Sequence, residues 1–313
     1  MEKMNILVTG GAGFIGSALV EALSKKPEHH IVVIDNLLTG SREKLPTAQH
    51  GNIEFFEGDV NVLEDISPLF ERHKFDYVFH YAAMVGVERT QEHPVSVFDD
   101  IEGIKNIVHL SNEHGVKRIY FSSSSEVYGE PFEIPQHEET TPLNSRVPYA
   151  IVKNVGEAYL RAYQKEHNLE YTIYRFFNTY GPKQSKDFVI SRFIAKALKN
   201  EPLPVYGDGT QTRTFCYIDD NVDACLSAFY ENKHLNDVVN IGGEIELPII
   251  ELAQQIISLT GSSSIIEHLP PLKEGDMTRR RPDVAKMKAL LKKEPISLEE
   301  GVKKILEDPR YIL

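Results

Sequence analysis

Gly10-Gly11-Ala12-Gly13-Phe14-Ile15-Gly16 follows an apolar run at residues 5–8 and opens a stretch with helical spacing at residues 14–25. Gly10 and Gly13 permit a tight turn and let the backbone approach a pyrophosphate, while Gly16 lets the helix pack closely on the strand. The helix N-terminus adds unpaired N–H groups and the positive end of a dipole. Asp35 ends the next strand-like run, at about the ~20-residue interval expected of a ribose anchor. A carboxylate there accepts hydrogen bonds from ribose hydroxyls and repels a 2′-phosphate. The pattern predicts a dinucleotide site that prefers NAD, with Arg42 nearby as the residue pulling towards NADP. As a bare strand-end carboxylate Asp35 would be solvated. Asp59, in Gly58-Asp59-Val60, either reaches the adenine amine or serves as an ordinary turn aspartate.

Working outward, strand-like runs recur at residues 31–34, 53–56, 77–80, 119–121 and 171–175. Segments with helical spacing lie at 62–73, 94–114 and 148–167, with Pro148 suited to a first helical turn. Short β-branched runs alternating with helices predict a parallel sheet covered on both faces. After Arg175 the rhythm changes. A turn-rich stretch at 178–185 precedes a helix at 190–198 and a Pro/Gly-rich segment at 201–209. Residues 238–241 offer a returning strand, and a helix follows at 249–259. The expected fold class is α/β, a Rossmann-type doubly wound parallel sheet with a smaller interleaved C-terminal substrate domain. Its expected bounds are 1–177 plus 214–241 for the dinucleotide-binding domain and 178–213 plus 242–313 for the other.

The 313 residues include 34 basic and 46 acidic side chains, for a formal net charge of −12. Phosphate-rich partners need local positive charge, so this balance argues against a surface given over to nucleic acid or anionic lipid. Hydrophobic residues at 41% suffice for a substantial core. Two cysteines, Cys216 and Cys225, make no disulfide framework, and no apolar run approaches the ~18 residues of a membrane span. A soluble cytoplasmic protein is the expectation. The 12 histidines show no HExxH or clustered Cys/His spacing, so no metal site is expected. No Gly-x-Ser-x-Gly elbow marks a serine hydrolase.

Tyr149 and Lys153 stand four residues apart and project from one helix face. A tyrosine of ordinary pKa near ~10 is a poor base at neutral pH, but neighbouring positive charge favours its phenolate. Alone, such a pair reads equally well as a solvated helix face. Ser122-Ser123-Ser124-Ser125-Glu126-Val127-Tyr128-Gly129 lies at the carboxyl end of the strand at 119–121, where ligands bind in such sheets. Glycines, acidic anchor, strand-end serine and Tyr/Lys pair, in this order, are specific together.

The chain resembles, from residue 5 to about residue 306, the extended short-chain dehydrogenase/reductases, in particular their NAD-dependent nucleotide-sugar epimerase/dehydratase branch. The resemblance implies that Ser124, Tyr149 and Lys153 form the catalytic triad. Ser124 would bond the sugar hydroxyl being oxidised, and Tyr149 would take its proton. It implies NAD contacts from Gly10, Gly13, Phe14, Ile15, Gly16, Asp35, Asn36, Asp59, Val60, Ala82, Ala83, Tyr149 and Lys153. Asn178, in Arg175-Phe176-Phe177-Asn178-Thr179-Tyr180-Gly181-Pro182, resembles the residue that contacts the nucleotide sugar. Arg213, closing Thr210-Gln211-Thr212-Arg213, resembles the arginine delivered to the diphosphate, a task suited to its fork of donors. Lys273, Gly275-Asp276 and Arg280-Arg281-Pro282-Asp283 resemble the segment over the nucleotide, and Lys273 stands where the epimerases often carry arginine.

All branches begin by oxidising the sugar at C4, and extra groups decide the product. An epimerase needs none. A 4,6-dehydratase uses an Asp-Glu pair, of which this chain keeps Glu126 behind Ser125, either as an acid/base group or as a structural carboxylate behind the serines. A decarboxylase exploits the β-keto acid that the ketone creates. Glu126, Thr210–Arg213 and the Arg280 segment are decarboxylase-like, whereas residues 52–76 and 80–86 resemble the epimerases. The expected activity is therefore an NAD-dependent UDP-sugar 4-epimerase, with UDP-glucuronate decarboxylase or a 4,6-dehydratase as alternatives in which Glu126 is an added acid or base. A non-catalytic NAD-binding protein is the remote alternative. A homodimer through the helices at 94–114 and 148–167 is expected by the same resemblance.

Overall fold

The computed structural model describes residues 3–47, 51–271 and 278–308. Its first half runs β1 (Asn5–Thr9), α1 (Phe14–Ser24), β2 (His30–Asp35), β3 (Ile53–Glu57), α2 (Leu63–His73), β4 (Tyr77–His80), α3 (Val87–Glu92), α4 (Asp100–Glu113), β5 (Arg118–Ser124), α5 (Pro148–His167) and β6 (Glu170–Phe176). After it come β7 (Thr179–Tyr180), α6 (Val189–Ala197), β8 (Leu203–Tyr206), β9 (Thr212–Arg213), β10 (Cys216–Tyr217), α7 (Ile218–Tyr230), β11 (Asp237–Ile241), β12 (Leu247–Pro248), α8 (Ile249–Thr260), β13 (Ile266–Leu269), α9 (Ala285–Leu290) and α10 (Leu298–Glu307).

Seven strands form the main sheet in the order β11-β6-β5-β4-β1-β2-β3. β1 pairs in parallel with both β2 and β4, β2 with β3, and β4 with β5. Ile6, Leu7, Val8, Ile31, Val32 and Val33 are wholly buried, as expected of parallel strands covered on both faces. Phe79 and Tyr120 stack at 4.6 Å in the core, with Tyr174 stacked on Tyr120 at 6.1 Å. The chain runs outward from β1 through β2 to β3, then returns to the other side of β1 for β4, β5 and β6. The order reverses between β1 and β4, so the carboxyl ends of these two strands flank the crevice where such sheets bind ligands. This is the doubly wound Rossmann-type α/β fold.

The chain divides into two compact units. The first comprises Met1–Val127, Pro148–Arg175 and Cys225–Val239, and the second Tyr128–Val147, Phe176–Ala224 and Asn240–Leu313. In the second unit β8 pairs in parallel with β13, β7 with β10, and β9 pairs antiparallel with β12.

Two local expectations change. Residues 94–114 do not form one helix: α3 ends at Glu92, one 3₁₀ turn spans Ser96–Asp99, and α4 starts at Asp100. The Pro/Gly-rich segment at 201–209 contains β8, whose partner β13 lies some 60 residues on. Among the described residues no helix is long and apolar enough to cross a membrane.

Candidate active site

β1 ends at Thr9 and the chain turns at Gly10, whose φ of +67° is left-handed backbone. A Cβ there would stand 2.6 Å from the Ala82 nitrogen, and one on Gly16 would collide with the Gly10 carbonyl oxygen. The turn is therefore closed to side chains on both sides. Gly13 caps α1 without any side-chain partner, so the first turn of that helix keeps its N–H groups facing outward for an anion.

Asp35, 8% exposed at the end of β2, accepts hydrogen bonds from the Ala12 N–H at 2.9 Å and the Leu37 N–H at 2.8 Å. It ties the glycine turn to the second strand and so holds the cradle open. Arg42 is engaged elsewhere, paired with Glu57 at 3.2 Å and lying over the Phe55 ring. These features fit a dinucleotide: side-chain-free backbone beside a helix N-terminus, and a carboxylate with spare acceptor capacity at the ribose position. Asn36 donates to Asp59 at 3.0 Å, and Asp59 also accepts the Asn61 N–H at 2.9 Å, so Asp59 has the bonding of a turn aspartate. Val60 is buried, and Phe14, Ile15, Ala82 and Ala83 are partly exposed around the turn.

Thr9 organises the crevice floor. Its hydroxyl oxygen accepts the Tyr81 and Ala82 N–H groups, each at 3.2 Å, and lies 2.8 Å from His80 Nδ1. With both lone pairs used, its single proton goes to Nδ1, which fixes the other nitrogen of His80 as the N–H. Burial, with help from Lys153, pushes the His80 pKa down to about 3, so the ring is neutral.

β5 and α5 bring Ser124, Tyr149 and Lys153 together. Ser124 is 8% exposed; its hydroxyl accepts the Glu126 N–H at 3.2 Å and shares a side-chain hydrogen bond with Tyr149. Lys153 is buried, donates to Ser122 at 3.4 Å, and lies 5.1 Å and 5.7 Å from the ring centres of Phe121 and Tyr149. Burial lowers the Lys153 pKa to about 8, against the pull of Asp100. Burial and the Glu126 carboxylate push the Tyr149 phenol up, and the Ser124 bond pulls it down. In the protein alone Tyr149 is therefore a phenol that needs added positive charge to become a base.

Behind the serines, Ser123 donates to Glu157 at 2.7 Å. Glu157 is wholly buried, one turn beyond Lys153 on α5, and receives Arg175 at 2.9 Å and 2.7 Å and Arg161 at 3.1 Å. This network locks β5, α5 and β6 to one another and so sets the spacing of Ser124 from the Tyr/Lys pair. Asp100, at the start of α4, accepts the Met84 N–H at 2.7 Å; burial raises its pKa while that bond and Lys153 lower it. His80, Asp100 and Glu157 escaped the sequence reading, because each acts through residues distant in the chain.

In the second unit, Asn178 has φ +37° and donates to the Thr214 carbonyl at 3.0 Å, which places it next to Arg213. Arg213 is 9% exposed on β9 and donates to the Thr212 carbonyl at 2.8 Å. Arg279 is tied by two bonds, 3.0 Å and 2.6 Å, to Glu246, which also receives Thr212 at 2.8 Å. Arg279 is thus fastened, through Glu246, to the strand bearing Arg213. Arg280 is buried. Lys273, Gly275 and Asp276 lie outside the described residues.

The sequence profile of the NAD dependent epimerase/dehydratase family matches residues 6–242. The UDP-N-acetyl-alpha-D-glucosaminuronate decarboxylase of Bacillus cytotoxicus is 38% identical over 320 residues, spanning 97% of each chain. UDP-glucose 4-epimerase of Thermotoga maritima, solved with UDP-glucose, superposes with a TM-score of 0.90 at 35% identity, over 97% of this chain and 98% of that one. UDP-glucose 4-epimerase of Thermus thermophilus, solved with NAD, gives 0.89 at 30% identity, over 97% and 98%.

Proposed function

Since the chain belongs to the NAD dependent epimerase/dehydratase family of nucleotide-sugar enzymes, we propose that it oxidises a UDP-sugar at C4 and that its substrate is a uronate, which it decarboxylates. The single observation that carries the choice is the placement of Glu126, whose backbone N–H donates to the Ser124 hydroxyl at 3.2 Å. An epimerase needs no acid or base beyond the triad. A decarboxylase must return a proton to C5, and Glu126 stands in the 3₁₀ turn immediately after Ser124. The 38% identity to a uronate decarboxylase supports the same reading.

The glycine turn, the α1 N-terminus and Asp35 would hold NAD, and Lys153 would serve the nicotinamide ribose. Bound NAD supplies a hydride acceptor and a positive charge. Ser124 bonds the C4 hydroxyl and Tyr149 takes its proton, aided by the Lys153 ammonium. With a ketone at C4, the C5 carboxylate is a β-keto acid: its C5–C6 bond breaks, carbon dioxide leaves, and the electron pair moves into the C4 enolate. The Glu126 carboxylate takes up a proton from solvent and relays it to C5. Once C5 is protonated, C4 regains the hydride it gave up as Tyr149 returns the proton to its oxygen, so the hydroxyl is restored and the cofactor would end oxidised again. In the second unit, Asn178 and Arg213 serve the nucleotide-sugar side, Arg213 pairing with the diphosphate.

Epimerisation at C4 is the second reading, favoured by the fit to the epimerase solved with UDP-glucose. Mass spectrometry and proton NMR of the enzyme with UDP-glucuronate, UDP-N-acetylglucosaminuronate, UDP-glucose and UDP-N-acetylglucosamine sort the two. Loss of carbon dioxide from a uronate is expected; an unchanged mass with inverted C4 overturns decarboxylation in favour of the epimerase.

The protein is further proposed to be a homodimer through α4 and α5, where Phe98 just before α4 and Ile151 on α5 are 40% and 38% exposed. A monomer in sedimentation at working concentration excludes it. Cys216 and Cys225 are buried and form no disulfide, in keeping with a reducing cytoplasm.

A further inference from the structure

Away from the glycine turn, three metal-binding side chains converge from three elements. His30 begins β2, Glu54 lies on β3 and His73 ends α2. Their ligand atoms fall within 4.8 Å of one another. Glu54 Oε2 is 3.5 Å from His30 Nε2 and 3.9 Å from His73 Nε2. Tetrahedral ligands at the usual bond lengths around zinc stand about 3.3–3.6 Å apart, so only small side-chain movements separate this arrangement from coordination.

The His73 side chain is 7% exposed, and its Nε2 is buried without any hydrogen-bond partner. A buried polar nitrogen left in this state is costly, and it is aimed at Glu54. The other oxygen of Glu54 receives Arg72 at 3.1 Å, which orients the carboxylate and leaves Oε2 towards the two rings. Arg72 is 63% exposed, so solvent screens its charge.

We propose that His30, Glu54 and His73 form a three-ligand site for a divalent transition-metal ion of the zinc class, with water in the fourth position. Two imidazoles and one carboxylate suit such an ion and not magnesium, which prefers oxygen ligands. The ion ties the edge strand β3 to β2 and α2, away from the candidate catalytic residues, so its role is to brace the fold.

The test is titration of the chelator-treated, NAD-loaded protein with zinc chloride, followed by calorimetry and by melting temperature, with magnesium chloride as the control. Saturable zinc binding and a raised melting temperature are expected, with no effect of magnesium. His137, Glu138 and Asp283 also gather within 4.8 Å, so the variants assign the site. His73→Gln and Glu54→Gln should each weaken zinc binding by more than about tenfold and abolish the melting shift, with turnover unchanged. Should His73→Gln fold poorly, Glu54→Gln, one-third exposed, still decides the matter. Zinc binding that is absent, or undiminished in Glu54→Gln, overturns the proposal.

Discussion

Arg175 on β6 closes a two-bond ion pair on Glu157 of α5, at 2.9 Å and 2.7 Å, with both side chains essentially sealed from water. Such a pair is costly to break, because removing one partner strands the other charge, typically at about 3–5 kcal/mol. Glu157→Gln should therefore lower the stability to urea by that order. Its kcat should fall further than that loss explains at temperatures where the variant stays folded, since the amide keeps one acceptor oxygen for the donors from Ser123, Arg161 and Arg175. Unchanged kcat in folded Glu157→Gln would show that the network braces the fold without setting the catalytic spacing.

Tyr149→Phe should retain NAD, read by cofactor absorbance in the purified protein, and lose turnover by at least about 10²-fold. Retained turnover excludes Tyr149 as the base.

Glu126→Gln separates the two proposed reactions. A decarboxylase that draws its C5 proton from Glu126 should lose about 10² or more in kcat, whereas an epimerase should be largely spared. The readout is carbon dioxide release against C4 inversion on matched substrates.

His80 gives the protein an acid-labile point. Its folded pKa of about 3 lies below the unfolded value of 6.5, so only the unfolded chain takes up this proton between those limits. Stability from this group is intact above pH 6.5 and drains away as the pH falls towards 3, by on the order of 5 kcal/mol in all. Lys153 works in the other range. Its folded pKa of about 8 lies below 10.5, so the burial penalty is full below pH 8 and is relieved as the pH rises from 8 to 10.5. Thermal melts against pH of the wild type, His80→Asn and Lys153→Met check both slopes; a profile identical in all three refutes them.

Asp35→Ser removes two charge-assisted bonds from the glycine turn together with the ribose acceptor. NAD affinity should fall by about tenfold to a hundredfold, measured by calorimetry. A fall smaller than about threefold would relocate the ribose.

What the sequence made legible was local. The turn from β1 into α1, Asp35 at the end of β2, and the Tyr149/Lys153 pair on one helix face each rest on residues a few positions apart. Six strands of the main sheet and the returning β11 were likewise marked by short β-branched runs. Residues 94–114 misled because their helical spacing continues across Pro94 and the following 3₁₀ turn, where the backbone does not. β8 was hidden because Pro204 interrupts its apolar run and its hydrogen bonds go to the distant β13. His80, Asp100, Glu157 and the His30–Glu54–His73 cluster were invisible for that second reason. Their chemistry is made by the crossing of elements, and no spacing in the chain encodes it. The Arg279–Glu246 pairing, which turns a basic run into an anchored segment, also needed two stretches 33 residues apart to meet.

The floor of the crevice constrains how this protein can be altered by evolution or by design. Thr9 spends its one proton on His80 and both its lone pairs on the chain after β4. Thr9→Val, although nearly isosteric, would orphan a ring nitrogen and loosen the backbone against which Gly10 packs. Positions 9 and 80 therefore behave as one inherited unit. A library that varies either alone will find almost nothing tolerated, whereas paired replacement by two apolar residues can succeed. The route to new sequences at this spot runs through double changes and is closed to single ones.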